Sequence, residues 1–346
     1  MSSSNTSESG PLYLVTGASG FIGAHVLDEL LRRGYRVRGT TRSASKAEQM
    51  KRDRSQYAHL LDFAFIDDLT RPGVFDEAVK GVDGILHVAS PVKYDVTDVE
   101  KELLLPAIEG TKAILQAAKS EPGVKRLVLT SSFAAVFDVS QGPRPGWTYT
   151  SEHWNPITYD EAKAADAVQA YRGAKKYAEL TAWDCVRNEK PHFDLVTICP
   201  PLVFGPLAHP ISNLSELNES NRALWQIASG VDPLPTARVP AWVDVRDLAV
   251  AHVESLLRPE VSNRRFLVSS PEKFTYQRVA DVIRAEFDWA KDKVTKGEEG
   301  APLPETFDID GTTASEALGF TYRKFRQSIV DTITQFKGIE ARQGGA

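Results

Sequence analysis

Cysteine is nearly absent. The 346-residue chain has two, Cys185 and Cys199, too few for a disulfide scaffold or a four-ligand zinc site. Both fall in apolar patterns and read as buried structural thiols. The seven histidines form no His-x-x-x-His pair and no cluster with cysteine, so no metal site is expected. A massed basic block is also missing: Lys and Arg are scattered, the net charge is −5 and the pI is about 5.9. Nucleic acid and anionic membranes favour basic surfaces, so neither is an expected partner. No run approaches the ~18 apolar residues of a membrane span. Met1 to Gly10 is polar and lacks an apolar core, so no secretory signal is read there. A soluble, cytoplasmic protein is the expectation that remains.

What is present is globular in composition, with 42% hydrophobic and 25% charged residues. Short apolar runs at 12–16, 36–41, 61–66, 84–88, 126–130 and 193–199 read as strands. Helical spacings separate them at 20–33, 43–59, 73–80, 97–119 and 167–189. Regular strand–helix alternation predicts an α/β, doubly wound parallel sheet of the Rossmann type. Residues 11–200 are expected to form this dinucleotide-binding core, with parts of 240–270 returning to it. After Cys199 the prolines crowd, and 201–340 reads mainly as a smaller C-terminal substrate-binding lobe of loops and short helices, not another sheet layer. Further helical spacings fall at 245–257, 275–287 and 322–337, and 1–10 and 341–346 read as disordered tails.

The first strand runs into Thr16–Gly17–Ala18–Ser19–Gly20–Phe21–Ile22–Gly23 and then a helix. Glycine lets backbone approach a pyrophosphate closely, and the helix N-terminus offers free N–H groups to phosphate. At the end of the second strand, roughly 20 residues on, NAD sites carry an acid for the ribose. This chain has Arg42 there, with Lys46 one turn later and no carboxylate, a setting for the 2′-phosphate of NADP or NADPH.

Reducing a carbonyl leaves an alkoxide, which needs a proton donor. Tyrosine serves near neutral pH if a neighbouring cation lowers its pKa, and a spacing of four puts both side chains on one helix face. The spacing occurs twice, as Tyr159–Lys163 and Tyr171–Lys175. The spacing alone does not choose between the two pairs. A hydroxyl donor is expected where the fifth strand closes, at Ser131 or Ser132.

The Thr-Gly-x-x-Gly-x-x-Gly turn, Tyr171–Lys175 with Glu179 four residues on, and Thr130–Ser131–Ser132 resemble the extended short-chain dehydrogenase/reductase family. His87–Val88–Ala89–Ser90–Pro91, Pro200–Pro201–Leu202–Val203–Phe204–Gly205–Pro206 and Ala317–Leu318–Gly319–Phe320 resemble its branch of fungal and yeast ketone reductases and plant dihydroflavonol reductases. The resemblance covers about residues 11–340. It implies Ser132 as the carbonyl donor, with Ser131 the alternative, and Tyr171 and Lys175 as the proton-transfer pair. It also implies Asp68 and Leu69 beside the adenine, Ala89, Ser90 and Pro91 under the nicotinamide ribose, and Thr130, Pro200 and Val203 among the cofactor contacts. Pro106–Ala107–Ile108–Glu109–Gly110–Thr111 departs from the Val-Asn-Val-x-Gly-Thr helix of many members, which puts an asparagine water relay in doubt.

The family also holds sugar-nucleotide epimerases and dehydratases. Dehydratases carry Thr-Asp-Glu after the fifth strand, where this chain has Thr130–Ser131–Ser132 and then Phe133. The expectation is therefore NADPH-dependent reduction of ketones or aldehydes by a monomer or homodimer, with sugar-nucleotide chemistry or a catalytically silent NADP sensor as rivals. Val92, Phe133, Phe204 and Trp225 are candidate walls of a pocket for a hydrophobic or aromatic carbonyl compound.

Overall fold

The computed structural model describes residues 10–90 and 96–344. Its main sheet takes β1 Leu12–Thr16, β2 Arg36–Thr41, β3 Leu61–Phe65, β4 Gly84–His87, β5 Arg126–Thr130, β6 Asp194–Cys199 and β7 Arg265–Leu267. All seven run parallel, in the order β7-β6-β5-β4-β1-β2-β3. The order reverses between β1 and β4, the switch point at which open α/β sheets place ligands.

The helices that concern the site are α1 Phe21–Arg32, α2 Ala44–Asp53, α3 Leu105–Ser120, α4 Tyr159–Ala164, α5 Ala167–Glu189, α6 Glu219–Ala228, α7 Val245–Leu257 and α8 Tyr276–Glu286. They cover both faces of the sheet, so strand residues find apolar partners whichever way they point. Val15 and Val128 pack with Leu27 and Leu30 of α1 and Leu248 of α7. Their chain neighbours Leu14 and Leu127 join Ile114 and Leu115 of α3 on the opposite face. That alternation is the two-residue period of a strand, and burial on both sides explains the unbroken apolar runs.

A separate apolar cluster gathers Phe204, Leu224, Trp242, Phe274, Phe325 and Phe336. Two short parallel pairs lie outside the main sheet, Leu202–Phe204 with Trp242–Asp244 and Thr148–Tyr149 with Asp308–Ile309. The region after Cys199 thus contains strand pairing that its prolines concealed.

Other boundaries differ from expectation for local reasons. Residues 73–80 form successive turns, not a helix, between Gly73 and Gly81 at φ +73° and +70°. The expected helix 97–119 begins as a π-helical turn, Glu100–Leu104, because Pro106 has no N–H to donate to the preceding turn. The 43–59 helix ends at Asp53, and a 3-10 segment, Ser55–Leu60, follows. Residues 341–344, read as tail, belong to the last helix, Phe325–Gly344, whose Gln335 and Gln343 bond to Leu207 and Ser212. Short Tyr159–Ala164, read as a connection, is helical because Thr158 and Glu161 form a capping box.

Candidate active site

At the switch point the glycine turn is compact. Gly17 takes φ +67° and its carbonyl accepts from Gly20 N at 2.9 Å. A Cβ on Gly23 would lie 2.2 Å from that carbonyl, so a side chain there would push the turn and α1 apart. Gly20 caps α1 without a side-chain bond, and the first turn, which includes Phe21 and Ile22, holds no acid. Its N–H groups and positive dipole end suit an anion. Ser19 beside them accepts from Thr41 Oγ1 at 3.2 Å.

Arg42 follows the end of β2 and is exposed, as is Lys46 in the first turn of α2. Neither makes an ion pair among the described residues, which leaves both charges available to a phosphate. Asp68 turns back on Thr70, accepting from its N at 2.9 Å and its hydroxyl at 2.7 Å. Those bonds hold its carboxyl below the ordinary value. Leu69 packs toward Gly110 of α3. Thr16 Oγ1 accepts from Ala89 N at 3.0 Å and meets His87 Nδ1 at 2.9 Å. Burial, and then the Lys175 charge, lower the His87 pKa to about 3, so this imidazole is a neutral prop for the end of β4. Pro91 and Val92 lie outside the described residues.

Three of the expected contacts make hydrogen bonds within the chain. The Thr130 hydroxyl is spent on His252 Nε2 at 2.7 Å. Pro200 is buried, and its carbonyl accepts from Phe133 N at 2.9 Å. Val203 packs in the sheet core while its carbonyl takes the Ser220 hydroxyl at 2.6 Å.

The serines and tyrosines separate cleanly. Tyr171 on α5 is half-buried and hydrogen-bonded to the Ser132 side chain. Ser132 also accepts from Ala134 N at 3.1 Å, which caps the short 3-10 turn Phe133–Ala135. Ser131 faces the other way and donates to Glu179 at 2.6 Å. Tyr159 bonds Glu100 at 3.2 Å, and Lys163 pairs with the same carboxylate at 2.6 Å. The second Tyr-x-x-x-Lys is thus a latch between α4 and the π-helical turn.

Lys175 lies one turn beyond Tyr171, is 9% exposed, and donates from Nζ to Ser90 Oγ at 3.0 Å. Burial lowers its pKa from 10.5 to about 8. The expected lowering of Tyr171 by Lys175 is not what this geometry produces: burial raises the phenol, the Ser132 bond opposes the rise, and Lys175 contributes no resolved part. A lysine that is charged only at a cost destabilises the fold. Below about pH 8 both folded and unfolded chains hold the proton, so the penalty is constant. Between about 8 and 10.5 the unfolded chain binds more protons, and stability rises with pH. Lys175→Met is therefore expected to raise the melting temperature at pH 7, with the gain fading toward pH 10.5. Melts showing no gain at neutral pH would contradict this.

Beneath the pair lies an ion pair that sequence reasoning missed. Glu179 is fully buried and accepts from Arg265 Nε at 2.7 Å, Thr197 at 2.7 Å and Ser131 at 2.6 Å. Glu179 was visible one turn after Lys175. Arg265, 86 residues further on, carried no signal.

Of the expected pocket walls, Phe133 and Phe204 are buried and Trp225 is half-buried. Phe133 is 2% exposed and stacks on Phe137 at 5.7 Å. Phe204 is fully buried against Phe274 at 5.0 Å, and Trp225 packs on Phe336. An aromatic residue near a motif fills a core as readily as a cleft. A cleft of about 530 Å³ opens around the first turns of α5, lined by Phe137, Val168, Arg172 and Phe307 among others. Among the described residues there is no cluster of metal-ligand type and no helix long and apolar enough to cross a membrane.

Residues 13–268 match the NAD dependent epimerase/dehydratase family. An uncharacterized oxidoreductase of Schizosaccharomyces pombe is 42% identical over 94% of this chain and 96% of its own length. The ketoreductase azaE of Aspergillus niger is 36% identical over 93% and 96%. The structure of yeast methylglyoxal/isovaleraldehyde reductase Gre2 complexed with NADPH superposes with a TM-score of 0.88 at 32% identity, covering 96% of this chain and 99% of that one. The chain belongs to the NAD dependent epimerase/dehydratase family, that is, to the extended short-chain dehydrogenase/reductases.

Proposed function

We propose that this protein reduces ketones or aldehydes to alcohols with NADPH. The observation that carries the proposal is the Ser132–Tyr171 hydrogen bond, with Lys175 buried one turn away. The glycine turn, with Gly17, Ser19, Gly20, Phe21, Ile22 and Gly23, would hold the pyrophosphate, and Arg42 and Lys46 the 2′-phosphate. Asp68 and Leu69 would border the adenine, and Ala89, Ser90 and Lys175 the nicotinamide ribose. Bound NADPH supplies the hydride.

Ser132 donates a hydrogen bond to the carbonyl oxygen and orients it beside Tyr171. The Tyr171 hydroxyl then gives that oxygen its proton. A raised phenol pKa keeps the proton in place at neutral pH, so the residue waits as an acid, and the Ser132 bond tempers its weakness. The relatives' printed activities, ketoreductase and methylglyoxal reductase, support this reading.

The test is NADPH oxidation, followed by absorbance, against methylglyoxal, aryl ketones and α-ketoesters, repeated with NADH. Turnover with NADPH in preference to NADH is the expected result. Arg42→Ala is expected to raise KM for NADPH roughly tenfold or more, through the loss of one charge-assisted phosphate contact, with little effect on NADH. Copurification of tightly held NAD without carbonyl reduction would favour sugar-nucleotide chemistry instead.

A further inference from the structure

We infer that the cleft beside Tyr171 binds the anionic end of its substrate, a carboxylate or phosphate, on Arg172 and Arg238. The inference rests on the reductase reading above and narrows its substrate class.

Arg172 follows Tyr171 on α5, and its side chain reaches the cleft lining with Val168, Gln169 and Phe137. It is 8% exposed, and its one polar contact among the described residues is Gln169 Oε1 at 2.5 Å. The other well-covered arginines rest on carboxylates: Arg54 on Asp28, Arg126 on Asp194 and Arg265 on Glu179. Arg172 makes no ion pair among the described residues. Arg238, also in the lining and exposed, makes none either. The two cations are close enough to repel, since Arg238 adds to burial in lowering the Arg172 pKa.

A covered guanidinium cannot shed its proton, so it needs a counter-charge. The Phe137 ring centroid, 5.3 Å from Arg172 Cζ, supplies part of one. Asp166 attracts Arg172 but is occupied at the head of α5, accepting from Val168 N at 2.9 Å and Gln169 N at 3.0 Å. Glu305 is the other carboxylate in the lining and pairs with neither arginine. Two planar forks facing a cleft of about 530 Å³ match an oxyanion, and apolar neighbours such as Val168 and Phe307 strengthen the attraction by excluding water. Val168 is one turn before Tyr171 and Arg172 is its chain neighbour, so the cleft opens along the helix that carries the proposed proton donor.

The experiment has a kinetic and a binding arm. NADPH oxidation is measured with benzoylformate and 4-acetylbenzoate against their methyl esters, in wild type and in Arg238→Ala, Arg172→Met and Arg172→Lys. Wild type is expected to favour at least one acid over its ester in kcat/KM, with the preference falling as salt rises. Arg238→Ala, an exposed change that leaves folding intact, and Arg172→Met are each expected to lower the acid-to-ester ratio about tenfold or more, and Arg172→Lys to restore part of it. Calorimetric titration with benzoate, phenyl phosphate and benzamide separates the sources: both anions are expected to outbind the amide, and the tighter anion names the substrate's charged group. Esters reduced as well as acids, with a ratio that Arg238→Ala does not move, overturn the inference while leaving the reductase reading intact. If no carbonyl compound is reduced, the reductase reading falls and the titration alone decides the anion site; equal binding of benzoate and benzamide then overturns it.

Discussion

Tyr171→Phe is expected to lower kcat/KM for NADPH-linked carbonyl reduction by about 10²–10⁴-fold, the range for losing a positioned acid. The substitution removes one oxygen from a ring packed among Leu103, Leu104 and Ala174, so the fold and NADPH affinity are expected to persist. Tyr159→Phe is the matched control. It also deletes a phenol from a Tyr-x-x-x-Lys pair, but that phenol bonds Glu100 at 3.2 Å and not Ser132. Its turnover is expected to stay within about twofold of wild type, because a half-exposed hydrogen bond of this kind carries about 1 kcal/mol of local stability and no chemistry. Steady-state kinetics on the two variants decide the assignment, and a loss below roughly threefold for Tyr171→Phe would overturn it.

Glu179→Ala is expected to cost about 3–5 kcal/mol of unfolding free energy, because it strands the Arg265 charge without its partner. Arg265 keeps the carbonyls of Ser151, at 2.9 Å, and His153, together with the Trp154 ring 3.7 Å from its Cζ. Replacing both partners by apolar residues, as in Glu179→Leu with Arg265→Met, is expected to recover much of the loss. Burial works against the Glu179 carboxylate, yet Arg265 and the hydroxyls of Ser131 and Thr197 hold its pKa below the ordinary value. The stability it contributes is thus present above the unfolded carboxylate pKa and lost as pH falls through the lower folded one. Urea denaturation of the two variants tests this, and a cost under about 1 kcal/mol for Glu179→Ala would refute it. The same variant is expected to slow turnover, since Ser131 anchors the strand end from which Ser132 is presented.

Sheet and turn were legible because their causes are local. Glycines at 17, 20 and 23 between a buried run and an amphipathic helix have one economical explanation, and Gly23 shows it in the lack of room for a Cβ. Strand β7 was not legible: Arg265, Phe266 and Leu267 are too few to show a period, and their place beside β6 is decided by tertiary pairing. The choice between Ser131 and Ser132 could not be read from adjacent identical residues, because only the fold turns one toward Glu179 and the other toward Tyr171. The packing of the expected pocket walls was hidden for a related reason. Phe204 and Trp225 are aromatic near a motif, but composition does not say which side of a wall a ring occupies. Arg172, next to the tyrosine, was the more informative neighbour once its lack of a carboxylate could be seen.

The Glu179–Arg265 pair also sets an order of events during synthesis. Helix α5, with Ser132 already made, leaves the ribosome well before Arg265 does. Until that arginine arrives, Glu179 has no cation for its buried position, so the helix cannot settle against β6 at full stability. A nascent chain halted near residue 260 would carry every residue proposed here for proton transfer and still be a substrate for chaperones or proteases. Full stability of the helix that carries Tyr171 and Lys175 is thereby coupled to completion of the far edge of the sheet.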